Sequence, residues 1–248
     1  MARELADVIH YFLEDPPREA KGPEAPLVAC PVGEKDAVRL SFVWNLAVEL
    51  ARSGVRPTLV APEESSVRDL LPAPAVGGVL APELLLVPAR TVAELARSAR
   101  APRVPREETL RIALVPAEWI EKGRGTGLLA WTLLFAAADP GDLDATLALA
   151  RRVAAAEPGA EVGVALHGVE SVAEAEVAFA SLAGRFEAEL GRPLRSYGLL
   201  LDDLLVYRAV VERRPVVLSH PQSLAARALT DVARLLLGDA RAGAPGAA

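Results

Sequence analysis

Short apolar runs without polar alternation, each followed by a stretch of helical period, set the strongest limit on how this chain can fold. Strands are predicted at Leu27–Val32, Thr58–Ala61, Leu84–Val87, Leu110–Val115, Trp131–Ala137, Val162–Leu166, Tyr197–Leu200 and Val216–Leu218. Helices are predicted at Asp36–Ser53, Ser65–Leu71, Val92–Ser98, Leu143–Ala156, Ala173–Leu190, Leu204–Glu212 and Ser223–Leu237. An apolar run with no polar face is a strand covered on both sides, and the helices between such strands serve as crossovers. The expected architecture is therefore α/β: one doubly wound, mostly parallel sheet with helices on both faces. Its 248 residues suit a single large domain of this kind.

The flanks read differently. Residues 1–25 place Leu5, Val8, Ile9, Phe12 and Leu13 on one helical face, then pass through Asp15-Pro16-Pro17 and a Pro-rich tether. This amphipathic arm either packs back on the chain's own core or docks in a partner's groove. Residues 26–237 form the predicted domain, and residues 238–248 lack apolar periodicity and are expected to be a disordered tail.

Composition removes several function classes. A formal net charge of −6 argues against a broad nucleic-acid contact. No apolar run approaches the ~18 residues of a membrane span. The arm's acids, Glu4, Asp7, Glu14 and Asp15, suit anionic lipid poorly, so no stable membrane insertion is expected. The opening MARELADVIHYFLEDPP lacks a signal peptide's order, and the single cysteine, Cys30, excludes an internal disulfide framework. A cytoplasmic location is the expectation.

The segment between the first strand and its helix has the outline of a phosphate loop. Such a loop needs glycines that bare backbone N–H groups, a lysine for the terminal phosphates and a hydroxyl for Mg²⁺. Here Gly33 is the one glycine, and Glu34 and Asp36 bring negative charge where phosphates would sit. His10, His167 and His220 lack companions at metal-ligand spacing. Cys30 reads as a small core residue, Asp202-Asp203 as a helix cap, and Ser171 with Glu174 as a capping box. Lys122–Gly127 reads as a flexible loop, and Arg208, Arg213 and Arg214 as a solvated helix end. No catalytic, cofactor-binding or metal residue is assigned.

The frame nevertheless resembles the MinD/ParA family of deviant-Walker ATPases. Asn45-Leu46-Ala47 stands where that family has NLA, and the spacing to Ser53-Gly54 and Thr58-Leu59-Val60 fits without insertion. Tyr197-Gly198, Asp202 or Asp203, Val206, Ala209-Val210, Arg213 or Arg214, Pro215, Pro221, Ser223, Ala225 and Leu229 resemble the C-terminal pattern of the FlhG-like members. On this resemblance the P-loop lysine falls on Arg39, its preceding glycine on Val38, the Mg²⁺-binding hydroxyl on Leu40 and the signature first lysine on Glu34. The DxD element falls on Ala61-Pro62-Glu63, the DxxxG switch on Pro116-Ala117-Glu118-Trp119-Ile120, and the adenine-reading asparagine on His167.

The resemblance implies a P-loop NTPase-like domain whose nucleotide chemistry is lost: a pseudo-ATPase with no cofactor. It would act through protein contacts in bacterial spatial organisation, such as polar, flagellar or motility assembly. Its expected partners are an active relative or a GTPase, with a homodimer as a further expectation, and Leu5, Val8, Ile9, Phe12 and Leu13 as partner-binding residues. The alternatives are a divergent nucleotide hydrolase using Lys35 or Arg39, and a module for another small anionic ligand in the vacated cleft.

Overall fold

A computed structural model describes residues 25–33, 36–63, 85–100 and 108–243. The arm residues Leu5, Val8, Ile9, Phe12 and Leu13 lie outside the described residues. So do Glu34, Lys35, residues 64–84 with the helix expected at 65–71, and residues 101–107 and 244–248.

The described strands are β1 (Leu27–Val32), β2 (Arg56–Pro62), β3 (Leu85–Ala89), β4 (Thr109–Pro116), β5 (Trp131–Ala137), β6 (Glu161–Val169) and β7 (Arg195–Leu201). They form one sheet in the order β3-β2-β4-β1-β5-β6-β7, and every pair is parallel. The helices are α1 (Ala37–Arg52), α2 (Val92–Ala99), α3 (Pro140–Ala156), α4 (Val172–Leu190), α5 (Leu204–Val211), α6 (Val216–Ser219) and α7 (Leu224–Arg241).

Strand β1 lies between β4 and β5, so alternate residues serve two cores. Val28, Cys30 and Val32 point into a layer with α1, α5, α6 and α7. Ala29 points into the opposite layer, which holds Leu95 of α2, Leu147 of α3 and Leu182 of α4. This double coverage explains why the strands read as continuous apolar runs.

Helix ends follow local chemistry. The α1 helix stops at Gly54, whose φ of +83° suits the left-handed position, and Val55 N–H returns to Leu50 O to close the turn. Ser171 caps α4 at Glu174 N–H while the Glu174 carboxylate takes Glu170 N–H, which makes a reciprocal capping pair. Asp203 caps α5 at Leu205 N–H and also accepts from Ala225 N–H in the first turn of α7, so one carboxylate joins two helix starts.

Three sequence expectations need correction. Val216–Leu218 is no strand: it belongs to the short helix α6, which the buried Asn45 holds by accepting from Val217 N–H at 3.1 Å. Helix α3 begins at Pro140 rather than at Leu143, because Asp139 caps Asp142 N–H and proline suits the first helical position. Helix α7 continues through Arg241 into the expected tail, since Asp239 accepts from Tyr197 and Arg195 and Arg241 pairs with Glu108.

The Asn45 amide also donates to Ser41 O at 2.7 Å, so both ends of a buried side chain are satisfied. Replacing it with alanine leaves Val217 N–H unpaired in the core. Asn45→Ala is expected to cost about 2 kcal/mol, read as a lower urea midpoint at unchanged slope.

Candidate functional site

Ligands of doubly wound sheets bind beyond the C-terminal ends of the strands. At that edge a cleft of about 330 Å³ lies between the β1–α1 turn and α3. Its lining includes Val32, Gly33, Arg39, Phe135, Thr146 and Arg152.

Arg39, on the first turn of α1, faces two carboxylates. Its Nη1 lies 3.0 Å from Asp36, and its Nη2 donates to both oxygens of Asp142. Asp142 also accepts from Ala137 N–H at the end of β5. Asp36 is the N-cap of α1 and takes Arg39 N–H at 2.9 Å. The helix N-terminus, ordinarily an anion site, thus meets the chain's own carboxylate. Gly33 shows no left-handed φ, and an added Cβ would meet only Asp36 at 3.9 Å, an ordinary contact.

The remaining expected positions are also occupied by structure. Leu40 is buried in the core, and Val38 packs against it. Glu63 takes Arg90 at the end of β2. After β4, Trp119 and Ile120 are buried, and Arg152 of α3 holds this segment through Ala117 O and Glu121. Lys122–Gly127, expected as a flexible loop, is packed: Gly123 is buried, Arg100 donates to Thr126 O, and Gly127 N–H donates to Glu157.

His167 sits at the end of β6, its ring 5.3 Å from that of Phe42. Burial, helped by the nearby Arg39 charge, lowers its pKa from the ordinary 6.5 to about 4, so it is neutral at pH 7. Its Nε2 is buried without a protein partner. Between His167, Phe42, Val38 and the start of α5 only about 10 Å³ is open, room for about one water.

Cys30 is fully buried and its thiol pKa is pushed up by desolvation, the reverse of an activated nucleophile. Among the described residues, no group of three metal-ligating side chains converges, and no helix is long and apolar enough to cross a membrane. Sequence reading missed Asp142 as the partner of Arg39. The two are 103 positions apart, and the Asp139-Pro140-Gly141 segment before Asp142 looks like a loop rather than a helix start.

The parallel sheet, its strand order and its covering helices are those of the MinD/ParA type of P-loop NTPase fold. A chain of the MinC:MinD cell division protein complex from Aquifex aeolicus matches with a TM-score of 0.60 and 13% identity, over 86% of this chain and 96% of that one. A ParA family ATPase from Chlorobium tepidum TLS gives 0.58 and 13%, over 85% and 98%. The septum site-determining protein MinD complexed with Mg-ADP from Pyrococcus horikoshii OT3 gives 0.57 and 15%, over 88% and 98%. No protein-family model matches the sequence, and no curated protein matches it.

The His167 environment carries a pH signature. The unfolded chain binds its proton near pH 6.5 and the folded chain only near 4, so the unfolded state holds more protons between those values. Stability should therefore fall as pH drops through that window, by up to about 3 kcal/mol from this group. His167→Gln should flatten that part of the stability–pH curve in denaturant titrations relative to the parent.

Proposed function

We propose that this chain is a pseudo-ATPase of the MinD/FlhG-like kind, a regulator or scaffold that acts through protein contacts in bacterial spatial organisation. One observation carries the reading. Arg39, on which the family's P-loop lysine falls by resemblance, is bound by Asp36 and Asp142, and Asp36 also caps the helix end that would face a phosphate. A nucleotide would have to displace two carboxylates and then lie beside them. The tight space at His167 supports the same conclusion for a base.

A matching solved structure is a complex of MinD with MinC, which suits a reading in which partners supply the role. For this chain the partner is a protein, either an active relative or a GTPase, and self-pairing is part of the proposal. Leu5, Val8, Ile9, Phe12 and Leu13 are its partner-binding residues. Polar, flagellar or motility assembly is the setting the resemblance favours.

A second reading, a small anion in the same cleft, draws on Arg39 Nε, which is buried without a partner. Calorimetric titration with ATP, ADP and GTP, each with Mg²⁺, separates these readings. No heat at millimolar nucleotide is expected; micromolar binding overturns the pseudo-ATPase assignment. Inorganic phosphate titrated in parallel should also give no heat, and saturable binding would favour the second reading.

A further inference from the structure

The strand ends opposite the Arg39 cleft hold a second cavity, of about 390 Å³. Trp131, Glu161 and Arg195 are the first residues of β5, β6 and β7, and all three line it. The connections that enter these strands complete the wall, with Ala160 before β6 and Arg192 and Pro193 before β7. That volume lies in the range of small-molecule sites, which are mostly apolar with a few placed polar groups.

The apolar part is largely aromatic. Phe186 comes from the layer of α4, while Trp131 and Tyr197 come from the layer of α1 and α7. The cavity therefore caps the end of the sheet where both cores meet, and these three buried rings form its floor. The Tyr197 ring crosses β6 at Gly163 so closely that a Cβ there would overlap it, so glycine alone lets the ring take this position. Trp131 Nε1 donates to the Tyr197 hydroxyl at 2.9 Å, and that hydroxyl donates to Asp239 at 2.7 Å. Both ring donors are thus engaged inside the protein, which suits an apolar occupant.

The charged rim is uneven. Arg195 pairs with both Glu161 and Asp239. Arg192 makes no ion pair among the described residues: its Nη1 donates to Ala160 O at 2.8 Å and its Nη2 to Pro158 O. The two carbonyls orient the guanidinium without neutralising it, and N–H donors are left over from its fork. A carboxylate matches that planar fork with parallel hydrogen bonds. Glu161 on the same rim disfavours an occupant of higher negative charge, such as a phosphate ester.

We propose that this cavity binds a small aryl carboxylate, its ring system on the floor of Phe186, Trp131 and Tyr197 and its carboxylate on Arg192. The site is separate from the Arg39 cleft, at the other end of β5 and β6, and it stands whether or not that cleft takes nucleotide.

Titration calorimetry on the full chain tests this with three probes: 2-naphthylacetate, its neutral amide and 2-(2-naphthyl)ethylammonium. The carboxylate should bind saturably with a Kd below about 1 mM, the amide at least about tenfold more weakly, and the ammonium not at all. Arg192→Gln should bring the carboxylate down to the affinity of the amide and leave the amide unchanged. Hydrogen exchange with the carboxylate bound should slow amides in residues 160–163 and 191–197 and leave residues 36–42 and 139–146 at the cleft as they were. The carboxylate-to-amide ratio is read on the parent chain, so it decides even where Arg192→Gln unfolds. Absence of saturable carboxylate binding overturns the proposal, as does equal affinity for carboxylate and amide. Protection at the cleft instead of at 160–163 and 191–197 also overturns it.

Discussion

The ion pairs of Arg39 tie together three segments that no hydrogen-bonded ladder joins at their ends. Asp36 belongs to the turn after β1, Arg39 to the first turn of α1, and Asp142 to the first turn of α3, while Asp142 also holds the last N–H of β5. These elements converge where a central parallel strand stops and its helix begins. A guanidinium flanked by two carboxylates in a partly enclosed site is far better satisfied than one left alone, so the arrangement fixes the spacing of α1 and α3 over the sheet edge. The same pairing decides the chemistry of the edge. A cation at a helix N-terminus normally invites an external anion, and here the anions are supplied from within.

The C-terminal segment depends on an analogous internal anchor on the other side of α1. Asn45 reaches α6 through Val217 N–H, Arg52 reaches Val217 O, and Asp203 reaches α7 through Ala225 N–H. The residues that carry the family resemblance therefore have structural work apart from any ligand. Asn45, Val206, Ala209, Ser223, Ala225 and Leu229 are all buried. These residues pack α1 against α5, α6 and α7, whatever occupies the cleft.

Much of the fold was legible because its signals are local. The run LVACPV, the stop at Gly54 and the Ser171–Glu174 pair each specify an element from adjacent residues. The failures share a different cause. VVLS is apolar and β-branched, yet a distant asparagine and the Pro215 turn draw it into a helix. The first turn of α3 starts with Pro-Gly, which propensity alone reads as loop, but the Asp139 cap offsets it. The continuation of α7 depends on Tyr197, Arg195 and Glu108, none of them nearby in sequence. Asp142 escaped notice for the same reason: nothing local marks a carboxylate as the partner of an arginine on another helix.

The cleft and helix α5 differ in surface chemistry. At the cleft, charges are matched internally and the space beside His167 is closed. On α5, Leu204, Tyr207 and Val211 are exposed large apolar side chains, and Arg208 beside them is paired with Glu212. Burying an apolar surface releases free energy in proportion to its area, whereas a satisfied ion pair gains little from a new neighbour. The driving force for association is therefore concentrated on α5 rather than in the cleft.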